Sequence, residues 1–122
     1  MKTLIKISLV VTLTLGVVIG YFVYLHMYSV QTLVLRNQGD WPITVSAYNQ
    51  AWTLAARTRM TVRFTTAGDG HFTITDPANG GQLGEAGYMT NGLPSCHDLT
   101  LRADLSIAYQ ADTEALCHLL RW

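Results

Sequence analysis

From Ile7 to Tyr28 the chain runs for twenty-two residues without a lysine, arginine, aspartate or glutamate. An α-helix rises about 1.5 Å per residue, so this run spans roughly 33 Å, enough for a bilayer hydrocarbon core of about 30 Å. Leu, Val and Ile dominate it. Thr12 and Thr14 are tolerable there because their hydroxyls can bond back to helix carbonyls. Lys2 and Lys6 stand just before the run and predict that residues 1–6 stay in the cytoplasm. Everything after residue 28 is then expected outside, in the periplasm beyond an inner membrane or an equivalent extracytoplasmic space. Tyr21, Phe22, Tyr24 and Tyr28 crowd the outer end, where interfacial aromatics gather.

A cleaved signal peptide also has a basic start and an apolar middle. Its apolar region is shorter, about 7–15 residues, and ends in a small-x-small site. Here the exit reads Tyr-Phe-Val-Tyr-Leu-His-Met-Tyr, bulky throughout, which favours an uncleaved anchor over 7–28. Thr12, Gly16 and Gly20 recur at a spacing of four. Small residues at that spacing let helix backbones approach closely in lipid, so they are the candidate helix-packing face. The expected partner is a larger integral membrane complex or a second copy of the chain.

Residues 30–122 leave room for one small domain. They carry six arginines and eight acids, about −2 in net charge, while both lysines precede the apolar run. A mildly acidic outer domain argues against nucleic acid as a partner. Its two cysteines, Cys96 and Cys117, are expected to pair in an oxidising compartment, since their spacing is not Cys-x-x-Cys. Closing a loop of about twenty residues in this way contributes roughly 3 kcal/mol.

Beyond residue 30 the hydrophobic period changes to two. Strands are predicted at 31–37, 43–48, 57–66, 71–75 and, more weakly, 82–90, where Gly84 and Gly87 suggest bulges. The segment 49–56 is ambiguous and reads as a loop with Trp52 tucked inward. The Ala-Gly-Asp-Gly turn at 67–70 predicts a hairpin between the third and fourth strands. Further turns fall at 76–81 and 91–94. Leu99 to Tyr109 alternates apolar and polar over eleven residues and reads as one long strand, or as a hairpin if Ala103-Asp104 turns. From Asp112 to Trp122, with Leu116, Leu119 and Leu120 at helical spacing, a short helix is expected, capped by Asp112 or Thr113. Cys117 would staple it to the loop before the last strand. The fold expected is an N-terminal transmembrane helix followed by a small all-β domain of five to seven antiparallel strands, a sandwich or partly open barrel, with a short C-terminal helix.

Residues with chemical potential are few. Arg57, Arg59 and Arg63 share parity, so a strand would place them on one face opposite Met60, Val62 and Phe64. Three planar donor forks could bind a partner's carboxylates or the phosphates of membrane lipid, and an ordinary solvated strand face is the alternative. His71, His97 and His118, with Met60, Met89 and the cysteines, have the softness copper prefers, but no His-x-His or Met-rich run accompanies them. His26, at the outer end of the apolar run, reads as solvated beside the tyrosines. Ser95, His97 and Asp98 are the residue types of a hydrolytic triad, yet near neighbours seldom supply its geometry. Glu85 and Glu114 form no acid–base pair. Gly68-Asp69-Gly70 reads as turn chemistry, with no helix behind it to make a phosphate loop.

The reading is therefore a non-catalytic accessory or assembly subunit, with no cofactor or metal assigned. A tethered metal- or small-ligand-binding chaperone or sensor, and a self-associating envelope protein, are the alternatives.

Overall fold

The computed structural model describes all residues except Ala67, Ala115, Arg121 and Trp122, and the side chain of Leu120. Its elements are α1 (Lys2–Met27), β1 (Val30–Asn37), β2 (Ile43–Ala47), β3 (Gln50–Leu54), β4 (Arg59–Thr65), β5 (Gly70–Thr75), β6 (Gln82–Met89), β7 (Ser95–Leu101), β8 (Ile107–Asp112) and α2 (Cys117–Leu120).

Helix α1 starts ahead of the uncharged run and takes in both lysines. Its 26 residues extend about 39 Å. It is long and apolar enough to cross a membrane. The hydroxyls of Thr12 and Thr14 donate to Ser8 O (2.9 Å) and Val10 O (2.8 Å), so both are satisfied within the helix. Its side chains are largely exposed; Leu25 alone is buried, beneath the domain. At the C-terminal end Ser29 turns the chain into β1 with φ 46°. That left-handed residue is itself buried, and its Oγ accepts from Gly92 N at 2.7 Å. The helix is thus tied to the loop before β7, not merely joined to β1.

The strands form two four-stranded sheets, β4-β1-β7-β8 and β3-β2-β5-β6. Alternation places Leu33, Leu35, Phe64, Leu99 and Leu101 of the first sheet against Ile43, Val45, Leu54, Phe72 and Ile74 of the second, all buried. Each such side chain contributes roughly 1.5–3 kcal/mol through burial, enough together to hold the sheets face to face. Phe64 sits 5.0 Å from Trp52 and 6.3 Å from Phe72, centroid to centroid, so an aromatic row runs through the core. The small all-β domain is therefore a sandwich, and Trp52 faces inward from a true strand, β3, where the sequence reads as a loop.

Several expectations change. The strands among the described residues count eight, and β1 pairs with β7 in parallel. The anticipated hairpin between the third and fourth strands does not form: β4 pairs with β1, while β5 pairs with β2 and β6. The glycine-bearing turn between them carries the chain from one sheet to the other. Of the two readings of 99–109 the hairpin holds: the segment turns at Ala103-Asp104 within Arg102–Ser106, with Leu101 opposite Ile107. Bulges do interrupt β6. At Gly87 the reason is double: φ is +71°, and an added Cβ would lie 2.6 Å from the Tyr109 ring. Cys96 lies within β7 instead of in the loop before it, and among the described residues the C-terminal helix runs Cys117–Leu120. Part of the predicted tail helix, at Ala115, Arg121 and Trp122, lies outside the described residues.

Candidate functional site

Successive residues of a helix turn by about 100°. Thr12, Gly16 and Gly20 therefore share one side of α1, while Val18, Tyr21, Phe22 and Leu25 share the side nearly opposite. The second side faces the chain's own domain. Leu25 is buried there, and Val17, Val18, Tyr21 and Phe22 line an apolar groove of about 300 Å³ with Leu116 and Leu119. The first side is open: a Cβ placed on Gly16 or Gly20 meets nothing within 4 Å. The small-residue face thus points away from the fold that α1 carries.

The three arginines do not form one row. Arg59 and Arg63 lie on β4, exposed on the outer face of its sheet. Arg57 precedes the strand in a turn with φ 56°, and its Nε donates to Asp40 at 2.8 Å. Arg59 stands directly opposite Arg36 of β1, and Arg36 in turn lies 3.6 Å from Asp98 of β7. Arg63 is drawn to the other end of the strand, where its Nη2 donates to His118 O at 2.6 Å. The basic surface of this face is accordingly Arg59 beside Arg36, the latter paired with Asp98, and Arg63 serves the C-terminal cap.

That cap is the densest constellation in the domain. Cys96 and Cys117 form the expected disulfide, with Cα atoms 6.1 Å apart. Cys96 and Thr32 occupy neighbouring positions on β7 and β1, both on the outer face. The bond therefore lays α2 across that face, and His118 Nδ1 meets Thr32 Oγ1 at 2.8 Å. His118 is buried, and its Nε2 has no hydrogen-bond partner among the described residues. Burial depresses the His118 pKa below the ordinary imidazole value, helped by the positive charge of Arg63 and opposed by Asp112. Cys96, Cys117 and His118 bring their donor atoms within 4.8 Å of one another. Both sulfurs are spent on each other, so this oxidised arrangement offers a metal one imidazole.

His97 goes the opposite way. Adjacent strand residues point to opposite faces, so Cys96 faces outward and His97 enters the core. Its Nε2 lies 2.7 Å from Gln31 Oε1, and its Nδ1 lies 2.7 Å from the Tyr109 hydroxyl. Gln31 Nε2 donates to Ser29 O and Leu93 O, which fixes its Oε1 as the acceptor. His97 then donates from Nε2 and accepts from Tyr109 at Nδ1. Burial raises the Tyr109 phenol pKa, which keeps it a donor. This chain of polar groups links the helix junction to the far side of the core.

Ser95 donates to Leu93 O, His97 serves Gln31 and Tyr109, and Asp98 faces Arg36 on the other side of the sheet. The three residues of the hydrolytic pattern thus diverge. His71 lies 3.3 Å from Glu85 across β5 and β6, and His26 Nδ1 lies 2.9 Å from Phe22 O. Asp69 accepts from Asn91 N at 2.7 Å and from the Tyr88 hydroxyl, which is turn chemistry. A cleft of about 650 Å³ opens where α1 meets the domain, lined by Met27, Tyr28, Tyr48, Asn49, Gln50, Thr65 and Thr66. Gln31 and Tyr109 carry no signal in the sequence beyond sitting in strands, because a buried glutamine is recognised only once its histidine partner is known.

No protein-family model matches the sequence, and no curated protein matches it.

Proposed function

We propose that the chain is a membrane-anchored accessory or assembly subunit without catalytic activity of its own. In this reading α1 crosses an inner membrane once, with Lys2 and Lys6 in the cytoplasm and the β domain over the periplasmic face. The observation that carries it is the division of α1 into two faces. At its outer end one side meets the domain the helix bears, where Leu25 is buried and Val18, Tyr21 and Phe22 line the groove. The other, Thr12–Gly16–Gly20, is open along its length and built from residues that permit close backbone approach. A tether alone has no need of such a face. The short join at Tyr28–Ser29 and its bonds to the loop before β7 support the same reading, because they hold the domain against the membrane and limit its reach. The Arg36–Arg59 pair on the outer sheet face offers acidic groups of a partner or lipid phosphates a second point of contact.

The test is affinity purification of the full chain from membranes in mild detergent, with partners identified by mass spectrometry. The reading expects a larger integral membrane complex recovered in stoichiometric amount. Recovery of homo-oligomers alone would overturn it in favour of a self-associating envelope protein.

A further inference from the structure

We infer that α2 and the rim around it make a second membrane contact, with Leu116 and Leu119 entering the acyl region of the outer leaflet beside α1. The inference rests on the membrane-anchor reading of α1.

Depth along the helix is the first argument. About twenty helical residues fill the hydrocarbon core. Counted from Lys6, the outer boundary falls near residue 26; counted from Lys2, it falls near residue 22. On either count Val17, Val18, Tyr21 and Phe22 lie within the core or at its edge. Leu116 and Leu119 line one groove with those four residues, so they share that depth. They are 62 % and 53 % exposed, whereas Leu33, Leu35, Leu54, Leu99 and Leu101 of the domain are buried. The groove is apolar on both walls and continues the lipid-facing surface of α1, so acyl chains are the occupant that matches it.

The second argument is how α2 is held. A helix of four residues does not persist by its own hydrogen bonds. The Cys96–Cys117 bond, Thr32 and Arg63 pin it to β7, β1 and β4. Three tethers on one turn place Leu119, and Leu116 just before the turn, at a fixed height and direction, outward from the sheet toward α1. The third argument is the rim. Strand registers put the start of β1, the end of β4 and the start of β7 at the helix-attached end. Met27, Tyr28, Tyr48 and Leu93 are exposed there, a belt of aromatic and aliphatic groups suited to the headgroup level. The β7–β8 turn at the opposite end carries Arg102, Asp104 and Ser106 bonded among themselves.

The full-length, oxidised protein is reconstituted in vesicles of phosphatidylcholine and phosphatidylglycerol. Nitroxide labels are placed at V18C, L119C and D104C, with the native disulfide verified by mass. Accessibility to dissolved oxygen is compared with accessibility to a water-soluble nickel chelate. The expected result is an oxygen-to-nickel ratio at L119C close to that at V18C and several-fold above that at D104C. A lipid-like ratio at V18C with a water-like ratio at L119C overturns this inference and leaves the anchor standing. A water-like ratio at V18C overturns the anchor reading itself. Protection of L119C from both reagents overturns the lipid occupant and assigns the groove to protein, a partner helix or a second copy. Should L119C fail to form the native disulfide, L116C supplies the same reading.

Discussion

Helix α1 and the β domain draw on the same apolar residue types and treat them in opposite ways. In the domain Leu33, Val45, Phe72 and Ile74 are wholly buried between two sheets. In the helix Leu9, Leu13, Val17 and Ile19 stand exposed, while the hydroxyls of Thr12 and Thr14 are turned back onto the backbone. The domain solves the problem of apolar surface by covering it with itself, which suits water. The helix leaves its surface uncovered and hides its hydrogen-bonding groups, which suits lipid. The difference lies in which groups each part leaves uncovered, and the groove between α1 and the α2 cap is where the two parts meet.

The sharpest way to break this comparison is to shorten one large side chain in each region. Phe72→Ala removes a fully buried ring and should cost about 3–5 kcal/mol in chemical unfolding of the domain. Leu13→Ala, on the exposed helix surface, should leave that unfolding unchanged. Equal losses would show that the domain leans on the helix.

Opening the disulfide comes next. The C96S/C117S variant frees a 21-residue separation and should lose about 3 kcal/mol in the same assay. It should also release α2, read as faster amide exchange at Leu119, whose N–H donates to Leu116 O. Protection at Leu119 that survives would mean that His118 and Arg63 hold the cap unaided.

A smaller effect probes the polar chain through the core. Tyr109→Phe takes away the donor to His97 Nδ1 and leaves a buried acceptor unmet, costing about 1–3 kcal/mol. Tyr88→Phe, whose hydroxyl meets Asp69 at the exposed surface, should cost little.

The smallest is a pH effect at His118. Its folded pKa is depressed below the ordinary value of 6.5, so the unfolded chain binds this proton more readily. The contribution of neutral His118 is complete above about pH 6.5 and declines as pH falls toward the folded pKa. Comparing wild type with His118→Asn between pH 7.5 and 5 should show the steeper loss in wild type; parallel curves would contradict the burial.

Much of this was legible in the sequence, for reasons that can be named. The apolar run announces α1 because membrane crossing requires an uninterrupted stretch. Strands β1, β2 and β5 follow from period-two alternation with turn residues beside them. The β7–β8 hairpin is masked because Leu101 and Ile107 are six apart and paired, so alternation keeps its parity straight through the turn. The false β4–β5 hairpin has a related cause: Gly68-Asp69-Gly70 marks a reversal, but a local turn does not state which sheet the next strand joins. At the candidate site the cysteine pair was readable from the even count and a spacing that is not Cys-x-x-Cys. The separation of Arg57 from Arg59 and Arg63 was not, since parity holds only inside a strand and Arg57 lies before β4 begins. The opposition of the glycine face and the domain-bearing face needed the position of Leu25, which only the fold supplies.

The central claim is that the open face of α1 meets a partner within the membrane. It is tested most directly by substituting Gly16→Ile and Gly20→Ile together and comparing co-purified membrane proteins with those of wild type and of a Val18→Leu control. The account predicts that partners retained by wild type and by the control are depleted at least several-fold by the double substitution, with the domain still folded and oxidised. An unchanged partner set would contradict it.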